Sequence, residues 1–184
     1  MKKHYLNFLL VGLVSLSLSS LAIADDDEDE HEGFFSRFSQ SSVTIPQNKL
    51  YQSDCASCHM AYQPNLLPSA SWEKLMAPKA LEDHFGDNAE VNEQDRLSIL
   101  AYLKTYASDN KGKRLLRFNR GESPLRITEL RYFKREHNEI PKRMVQGNPK
   151  VRSLSNCAAC HTGAEQGNYG ERGIRILGYG YWED

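Results

Sequence analysis

Apolar residues recur at helical spacing in several stretches of the chain, and this pattern predicts a mostly α fold. The clearest stretch begins after Asn92, which has the position of an N-cap residue with Asp95 three residues later. Its side chains form two adjoining stripes: Leu97, Leu100, Ala101 and Lys104 in one, and Ile99, Leu103, Tyr106 and Ala107 in the other. Asn110 and Gly112 are expected to end this helix.

Shorter helices are expected from the same reasoning. They cover 49–60, 71–86 with Ser71 as cap and an interruption or restart at Pro78, and 128–137 with Thr128 as cap. Pro141 should prevent the last of them from continuing. The tail from Gly163 is rich in glycine and tyrosine, and its pattern is too weak for an assignment.

The start of the chain has the organisation of a secretory signal peptide. A short basic start precedes an apolar run at 6–21, and Ala-Ile-Ala at 22–24 has the small residues of a cleavage site. A membrane anchor is the alternative, but the apolar run is short for a span and an acidic segment follows it directly. We therefore expect cleavage after Ala24, export to a Gram-negative periplasm, and a mature chain that does not span a membrane.

Two copies of the string Cys-x-x-Cys-His carry the most specific chemistry in the sequence. They are Cys55-Ala56-Ser57-Cys58-His59 and Cys157-Ala158-Ala159-Cys160-His161, and they contain all four cysteines. This pattern is typical of covalent c-type haem attachment, in which both thiols form thioethers to the haem and the histidine binds the iron. One helical turn separates the two cysteines, so both thiols face one edge of the porphyrin. The sequence therefore predicts two covalently bound haem c groups.

Three other uses of paired cysteines fit the sequence less well. A thioredoxin-like redox pair would lie near a βαβ pattern and would need no histidine. Structural zinc sites place their two cysteine pairs about 15–20 residues apart, whereas about a hundred residues separate these pairs. Two short disulfides would leave the histidine at the same offset in both copies unexplained.

The mature chain is long enough for one ordinary domain or two small ones. We expect two small haem-centred helical lobes, 43–116 and a more irregular 117–184, because each lobe alone has only a thin core and gains a large apolar surface from its haem. Residues 117–124 are the expected linker. Residues 25–42 open with six consecutive acidic side chains and are expected to be a disordered acidic tail.

Charge is strongly segregated along a chain whose net charge is only −1. Residues 25–110 carry 16 acidic and 6 basic side chains, whereas 111–143 carry 4 acidic and 11 basic ones. Export disfavours nucleic acid as the partner of this basic stretch. We expect its arginines and lysines to pair first with haem propionates and the acidic lobe, and second to steer a partner protein.

The histidines predict which side chains bind the two irons. His59 and His161 follow the cysteine pairs and are the expected proximal ligands. Of the other histidines, one leaves with the signal peptide and one lies in the acidic tail, so His84 and His137 remain for two open axial positions. Each lies about 25 residues from its nearest motif, so His84 is expected on the first iron and His137 on the second.

Two alternatives to this ligand set stay open. Met76 or Met144 could bind an iron and would raise its potential, or the two distal histidines could be exchanged between the haems. Each proximal imidazole should also donate its second N–H to an oxygen. In the first lobe the carbonyl of Pro64, or one near Leu67, is the candidate acceptor. Trp72 is expected either at the porphyrin edge or in the core.

These motifs belong to a wider set of segments. The set is C-A-S-C-H-M-A-Y-Q-P-N-L-L-P-S-A-S-W at 55–72, D-H-F-G at 83–86, I-L-A-Y-L at 99–103, R-I-T at 126–128, F-K-R-E-H at 133–137 and N-C-A-A-C-H-T-G-A-E-Q-G at 156–167. Together the segments resemble the small di-haem cytochromes c of proteobacteria, over nearly all of the mature chain.

The resemblance implies a fold and a set of partners. The N-terminal lobe should be similar to class I cytochromes c, and a distinct haem segment should follow it. Histidine on both faces of both irons is also implied, which gives ligand roles to His59, His84, His137 and His161. Members of the family are electron carriers, and they are associated with a membrane b-type cytochrome and with a small oxygen-binding haem protein. Here these would be the electron donor and the acceptor.

The resulting hypothesis is a periplasmic electron carrier that is not an enzyme. Irons whose axial positions are all filled by side chains cannot bind a substrate, and histidine on both faces keeps the potential below that of His/Met cytochromes. The alternative is a di-haem peroxidase or reductase, or a gas sensor. Each of these needs one open or labile iron.

Overall fold

The computed structural model of the chain describes residues 45–110 and 123–182. The predicted signal peptide and acidic tail, Gly112, most of the expected linker and the first part of the basic stretch lie outside the described residues. Within these two ranges, no helix has the length and apolar character needed to cross a membrane.

The first described range is built from four α-helices and one 3₁₀ turn. In chain order they are α1 (Lys49–Cys55), the 3₁₀ turn Pro64–Leu66, α2 (Ser69–Leu75), α3 (Pro78–Glu82) and α4 (Glu93–Thr105). The longest helix, α4, begins where the sequence predicts. The side-chain oxygen of Asn92 accepts a hydrogen bond from the backbone N–H of Asp95 at 2.9 Å, which confirms the predicted N-cap.

The second described range is more irregular. It contains the 3₁₀ turn Ile127–Glu129, α5 (Arg131–Glu136), α6 (Lys142–Val145), the 3₁₀ turns Cys157–Ala159 and Ala164–Gln166, and the strands β1 (Arg175–Ile176) and β2 (Gly180–Tyr181). The strands pair antiparallel, with Arg175 opposite Tyr181 and Ile176 opposite Gly180. The predicted mostly α fold with an irregular C-terminal part is confirmed.

Two hydrophobic clusters organise the described residues. The larger one surrounds α4, whose Ile99 and Leu103 are fully buried, and it includes Phe133 of α5. A smaller cluster consists of the buried residues Val145, Val151, Ala159 and Ile176. Leu154 packs against both clusters and so connects them. Of the two predicted stripes on α4, the one with Ile99 is buried, whereas Leu97 of the other is 50% exposed.

Several helix ends differ from the sequence-based predictions. Ser71 lies inside α2 and is fully buried, because the helix already begins after Pro68 and the hydroxyl caps nothing. The α3 helix ends at Glu82 instead of continuing to Gly86, since the carboxylate of Asp83 accepts the N–H of Gly86 at 3.0 Å and favours a turn. The α4 helix ends at Thr105, whose carbonyl accepts a hydrogen bond from the side chain of Asn110.

Candidate functional sites

The first Cys-x-x-Cys-His motif lies at the end of a helix. Cys55 is the last residue of α1, and the N–H of Ala56 donates to the carbonyl of Gln52 at 3.0 Å as the final helical hydrogen bond. The rest of the motif continues as turns, so the helix predicted over 49–60 ends earlier than expected. Cys58 and His59 are exposed to solvent.

The second motif forms a single tight turn. Cys157 begins the 3₁₀ turn, and its carbonyl accepts from the N–H of Cys160 at 3.1 Å and from the N–H of His161 at 2.8 Å. These two hydrogen bonds bring the cysteines and the histidine of the motif into one turn of backbone. Both motifs therefore place their two thiols one turn apart, although different local structure holds them.

Each motif histidine faces one other histidine across a gap of the same width. The ring centroids of His59 and His84 are 6.3 Å apart, and those of His137 and His161 are 6.2 Å apart. Imidazoles that bind one metal from opposite sides have centroids about 6 Å apart, because each metal–nitrogen bond is about 2 Å long and each centroid lies about 1 Å beyond its nitrogen. Each gap therefore has room for one iron.

His84 is presented by a tight two-residue turn. Its backbone N–H donates to the carbonyl of Asp87 at 2.7 Å, and between them Phe85 and Gly86 have positive φ angles of 58° and 107°. Two central residues with positive φ are typical of a type I′ turn. Glycine adopts this backbone at no steric cost, but a left-handed phenylalanine is an outlier that its surroundings must stabilise.

The surroundings of Phe85 supply that stabilisation. Its ring meets the ring of His84 edge-on at 4.8 Å, and the guanidinium of Arg126 lies 3.8 Å from its centroid. The Arg126 contact is a cation–π interaction across two distant parts of the chain. Burial, and after it the nearby His59 and Arg126, lowers the pKa of His84, so its imidazole is neutral and has a lone pair for a metal.

His137 is held by the end of a helix. It is the C-cap residue of α5, its Nδ1 lies 2.9 Å from the carbonyl oxygen of Phe133, and its ring stacks on the Phe133 ring at 3.9 Å. A carbonyl oxygen only accepts, so Nδ1 carries a proton, and Nε2 is the nitrogen left to bind a metal. On the other side of the gap, burial and the neighbouring His137 lower the pKa of His161 to about 4, so this imidazole is neutral at physiological pH.

The proximal histidines have unequal partners for their second nitrogen. Nδ1 of His59 lies 2.7 Å from the carbonyl oxygen of Met60, whereas the buried Nδ1 of His161 has no hydrogen-bond partner among the described residues. The predicted acceptor, the carbonyl of Pro64, instead receives the indole N–H of Trp72 at 2.7 Å. The prediction for Pro64 was therefore wrong, because the carbonyl of the adjacent Met60 is the group beside Nδ1 of His59.

Three of the four cysteines, Cys55, Cys157 and Cys160, are partly buried, and burial raises the pKa of each thiol. None of the four is in a disulfide. Burial chiefly, with Asp54 second, raises the pKa of Cys55 to about 11, and burial likewise raises the pKa of Cys157 to about 11. Thioredoxin-like cysteines instead have lowered pKa values, because the thiolate is the reactive form. These environments argue against a catalytic dithiol.

The arrangement of donor atoms fits haem better than a bare metal ion. In 45–110 and 123–182, no group of three or more His, Cys, Asp or Glu side chains is placed to hold a metal ion. The imidazoles instead come in facing pairs, and a porphyrin supplies the four equatorial nitrogens that such a pair lacks. Met76 and Met144, the rival ligands, pack in the larger and the smaller hydrophobic cluster respectively.

Four further side chains near the histidine pairs were not found from the sequence. Phe85 and Arg126 contact each other beside His84, while Tyr62 stacks on His59 and Tyr169 lies edge-on to His161. The segments 55–72, 83–86 and 126–128 contain Tyr62, Phe85 and Arg126, and Tyr169 lies in the tyrosine-rich tail, but the sequence gave none of the four a role.

Comparison with known proteins agrees with this geometry. The family model for dihaem cytochrome c matches residues 51–169. No curated protein sequence matches the chain.

Two solved structures are similar over most of the chain. The X-ray structure of a diheme cytochrome type c from Shewanella baltica OS155 has 45% identity and a TM-score of 0.64, and the match covers 76% of this chain and 100% of that one. A diheme cytochrome c from Rhodobacter sphaeroides has 45% identity and a TM-score of 0.61, with 68% of this chain and 99% of that chain covered. The present chain thus belongs to the dihaem cytochrome c family, which implies two covalently attached haem c groups and a role in electron transfer.

Proposed function

We propose that the chain is a periplasmic electron carrier in which histidine side chains fill every axial position of both irons. Cys55 and Cys58 would attach the first haem, with His59 and His84 as its ligands. The observation that carries this proposal is the equal separation of the facing imidazole rings, 6.3 Å and 6.2 Å, in two sites built from different local structure. In the second site, Cys157 and Cys160 would attach the haem.

The second site would use His137 and His161 as its ligands. A backbone carbonyl holds Nδ1 of His137, and burial keeps the imidazole of His161 neutral. Bound haem supplies a reversible one-electron change at iron. The protein's part is to close each axial position and to keep ligand geometry fixed by the type I′ turn and by the end of α5. A site closed on both faces leaves no position for a substrate, so the chain is not an enzyme in this proposal.

The proposed location and partners rest on the sequence and the family. The signal-like residues 1–24 and the haem attachment motifs support export to the periplasm, because both belong to exported c-type cytochromes. A membrane b-type cytochrome is the proposed donor, and a small oxygen-binding c-type haem protein is the proposed acceptor. The basic stretch 111–143 would steer one of these partners through long-range attraction.

A carbon monoxide difference spectrum of the reduced holoprotein tests the closed sites. Carbon monoxide binds ferrous haem only where an axial position is open. We expect no spectral change at stoichiometric or moderate excess gas, because four histidines hold four positions. Binding of one equivalent would mean an open or labile iron, and would favour the peroxidase, reductase or sensor alternative instead.

A further inference from the structure

One side chain just after the first motif makes hydrogen bonds to three groups just after the second. The amide nitrogen of Gln63 donates to the carbonyl of Ala164 at 2.9 Å and to that of Glu165 at 3.1 Å. Its amide oxygen accepts from the hydroxyl of Tyr169. Gln63 lies four residues after His59, and the two carbonyls follow His161 by three and four residues. The bonds therefore join the two motifs across about a hundred residues of sequence.

The neighbouring tyrosine ties the other end of the second motif. The hydroxyl of Tyr62 donates to the carbonyl of Ser155 at 2.7 Å, two residues before Cys157. Its ring stacks on His59 at a centroid distance of 4.9 Å, and its own carbonyl accepts from the hydroxyl of Tyr51 at 2.9 Å. The second motif is thus held on both sides by consecutive residues of the first segment.

Tyr169, from the segment after the second motif, contacts the segment after the first motif in return. It is 6% exposed, and its ring lies edge-on to His161 at 5.7 Å while its hydroxyl reaches Gln63. Gly167, with φ of +78°, brings the backbone close enough that an added Cβ would lie 3.4 Å from Cγ of Gln63. A larger residue there would be strained by the left-handed backbone.

We propose that Tyr62, Gln63 and Tyr169 form an inter-motif bridge that fixes the distance and orientation between the two haems and so sets the rate at which they exchange an electron. Each tyrosine touches a motif histidine with its ring and the opposite segment with its hydroxyl. The bridge contains no charged group, so salt does not weaken it, unlike a surface ion pair. The proposal rests on the proposed function, because it assumes one haem at each motif.

These residues act as positioning residues. Their replacement should change the rate of electron exchange between the haems without opening an axial position on either iron. Tyr169→Phe removes one hydroxyl and keeps the ring beside His161. Gln63→Leu removes three hydrogen bonds between the two segments at once. Tyr102→Phe is the matched control, because it removes a tyrosine hydroxyl that donates to the carbonyl of Pro46 at 3.1 Å, away from both motifs.

The experiment uses the holoprotein with both haems attached. Intramolecular electron exchange is followed in half-reduced samples, and the iron–iron distance distribution is measured by pulsed EPR on oxidised samples. We expect several-fold slower exchange and a broader distribution in Tyr169→Phe, a larger change in Gln63→Leu, and wild-type values in Tyr102→Phe. Carbon monoxide is added to each reduced sample, and none should bind it.

Two results would overturn separate statements. If Tyr169→Phe keeps the wild-type rate of electron exchange and the wild-type distance distribution, with both irons still closed, the bridge does not set the exchange rate. The proposed function would be unaffected by that result. Carbon monoxide binding by the wild-type protein would instead contradict the proposed function. If Gln63→Leu does not fold, Tyr169→Phe decides the question alone.

Discussion

The two histidine pairs have nearly the same width but differ in tilt and support. The imidazole planes of His59 and His84 are inclined by 30°, whereas those of His137 and His161 are inclined by 64°. In the first pair the distal ring sits on a strained turn; in the second it caps a helix and stacks on Phe133. The ring spacing is thus common to both pairs, whereas the ring orientation follows from the local structure that carries each histidine.

The two sites differ in which histidine of the pair has a backbone carbonyl beside its Nδ1. A backbone carbonyl lies at hydrogen-bond distance from the proximal ring in the first pair, Met60 beside His59, and from the distal ring in the second pair, Phe133 beside His137. Such a bond fixes the tautomer and raises the basicity of the ligand. In the proposed ligand set, each iron would therefore have one histidine fixed in this way, the proximal one in the first site and the distal one in the second.

Loss of a distal histidine should have the largest effect on either site. His84→Ala and His137→Ala should each open one iron, because the described contacts offer no second imidazole at either gap. We expect carbon monoxide binding to rise from none to one equivalent in each reduced variant, measured by difference spectroscopy. The double variant should bind two equivalents.

A reduced His84→Ala variant that binds no carbon monoxide would contradict this prediction. It would mean that Met76 or another side chain has replaced the histidine. Asn88→Ala, a change on the loop after the same turn, serves as the control and should bind none.

Replacement of one distal ligand by methionine should separate the two haems in potential. His84→Met is expected to raise the potential of the first haem by on the order of 0.1 V, a fraction of the roughly 0.8 V that axial ligands span. A spectroelectrochemical titration should then give one wave displaced upward and one unchanged. If both waves move together, the haems are not independently ligated as proposed.

The hydrogen bond from Trp72 to the carbonyl of Pro64 can be removed without changing a proposed iron ligand. Trp72→Phe leaves the buried carbonyl of Pro64 without its indole donor, and this should lower the free energy of unfolding by about 1–3 kcal/mol. Denaturant unfolding of the holoprotein measures the change. Tyr179→Phe, which removes a hydrogen bond from a half-exposed hydroxyl to the carbonyl of Arg143, should have a much smaller effect. Equal losses in the two variants would argue against a special role for Trp72.

The strained turn gives the smallest expected effect. Phe85→Asn relieves a left-handed backbone that costs about 1–2 kcal/mol, but it loses a cation–π contact with Arg126 worth about 0.5–1 kcal/mol and the edge contact with His84. We expect the free energy of unfolding to change by less than about 1 kcal/mol, since Asn-Gly is a favoured type I′ pair.

Phe85→Val tests the reason for that small value. Its side chain is apolar, like that of Phe85, but β-branched, so it keeps the strain and should be less stable than Phe85→Asn in the same unfolding assay. A valine variant as stable as the asparagine variant would mean that the turn stores no backbone strain.

The parts of the molecule that could be predicted are those determined over a few residues. The cap at Asn92, the turn at Cys157 and the offsets of His84 and His137 follow from local spacing or from counting ligands. The prediction of Ser71 as a cap was wrong, because α2 already begins after Pro68. Sequence composition does not decide which of several neighbouring residues starts a helix.

Features formed across the chain could not be predicted. Trp72 occupies the carbonyl of Pro64, and Gln63 meets Tyr169 after 106 residues, because folding brings these groups together without any sequence periodicity. The ring tilts have the same origin, since they depend on how α5 and the type I′ turn are oriented when both clusters are packed.

Low-temperature EPR of the oxidised wild-type holoprotein reports the spin state and the ligand orientation at both irons. Steeply inclined imidazole planes make their two interactions with iron nearly equivalent and increase the g anisotropy of low-spin ferric haem. We expect two low-spin signals of equal intensity, with the larger anisotropy from the pair inclined by 64° and the smaller from the pair inclined by 30°. A high-spin signal, or two identical low-spin signals, would contradict two closed and differently oriented histidine pairs.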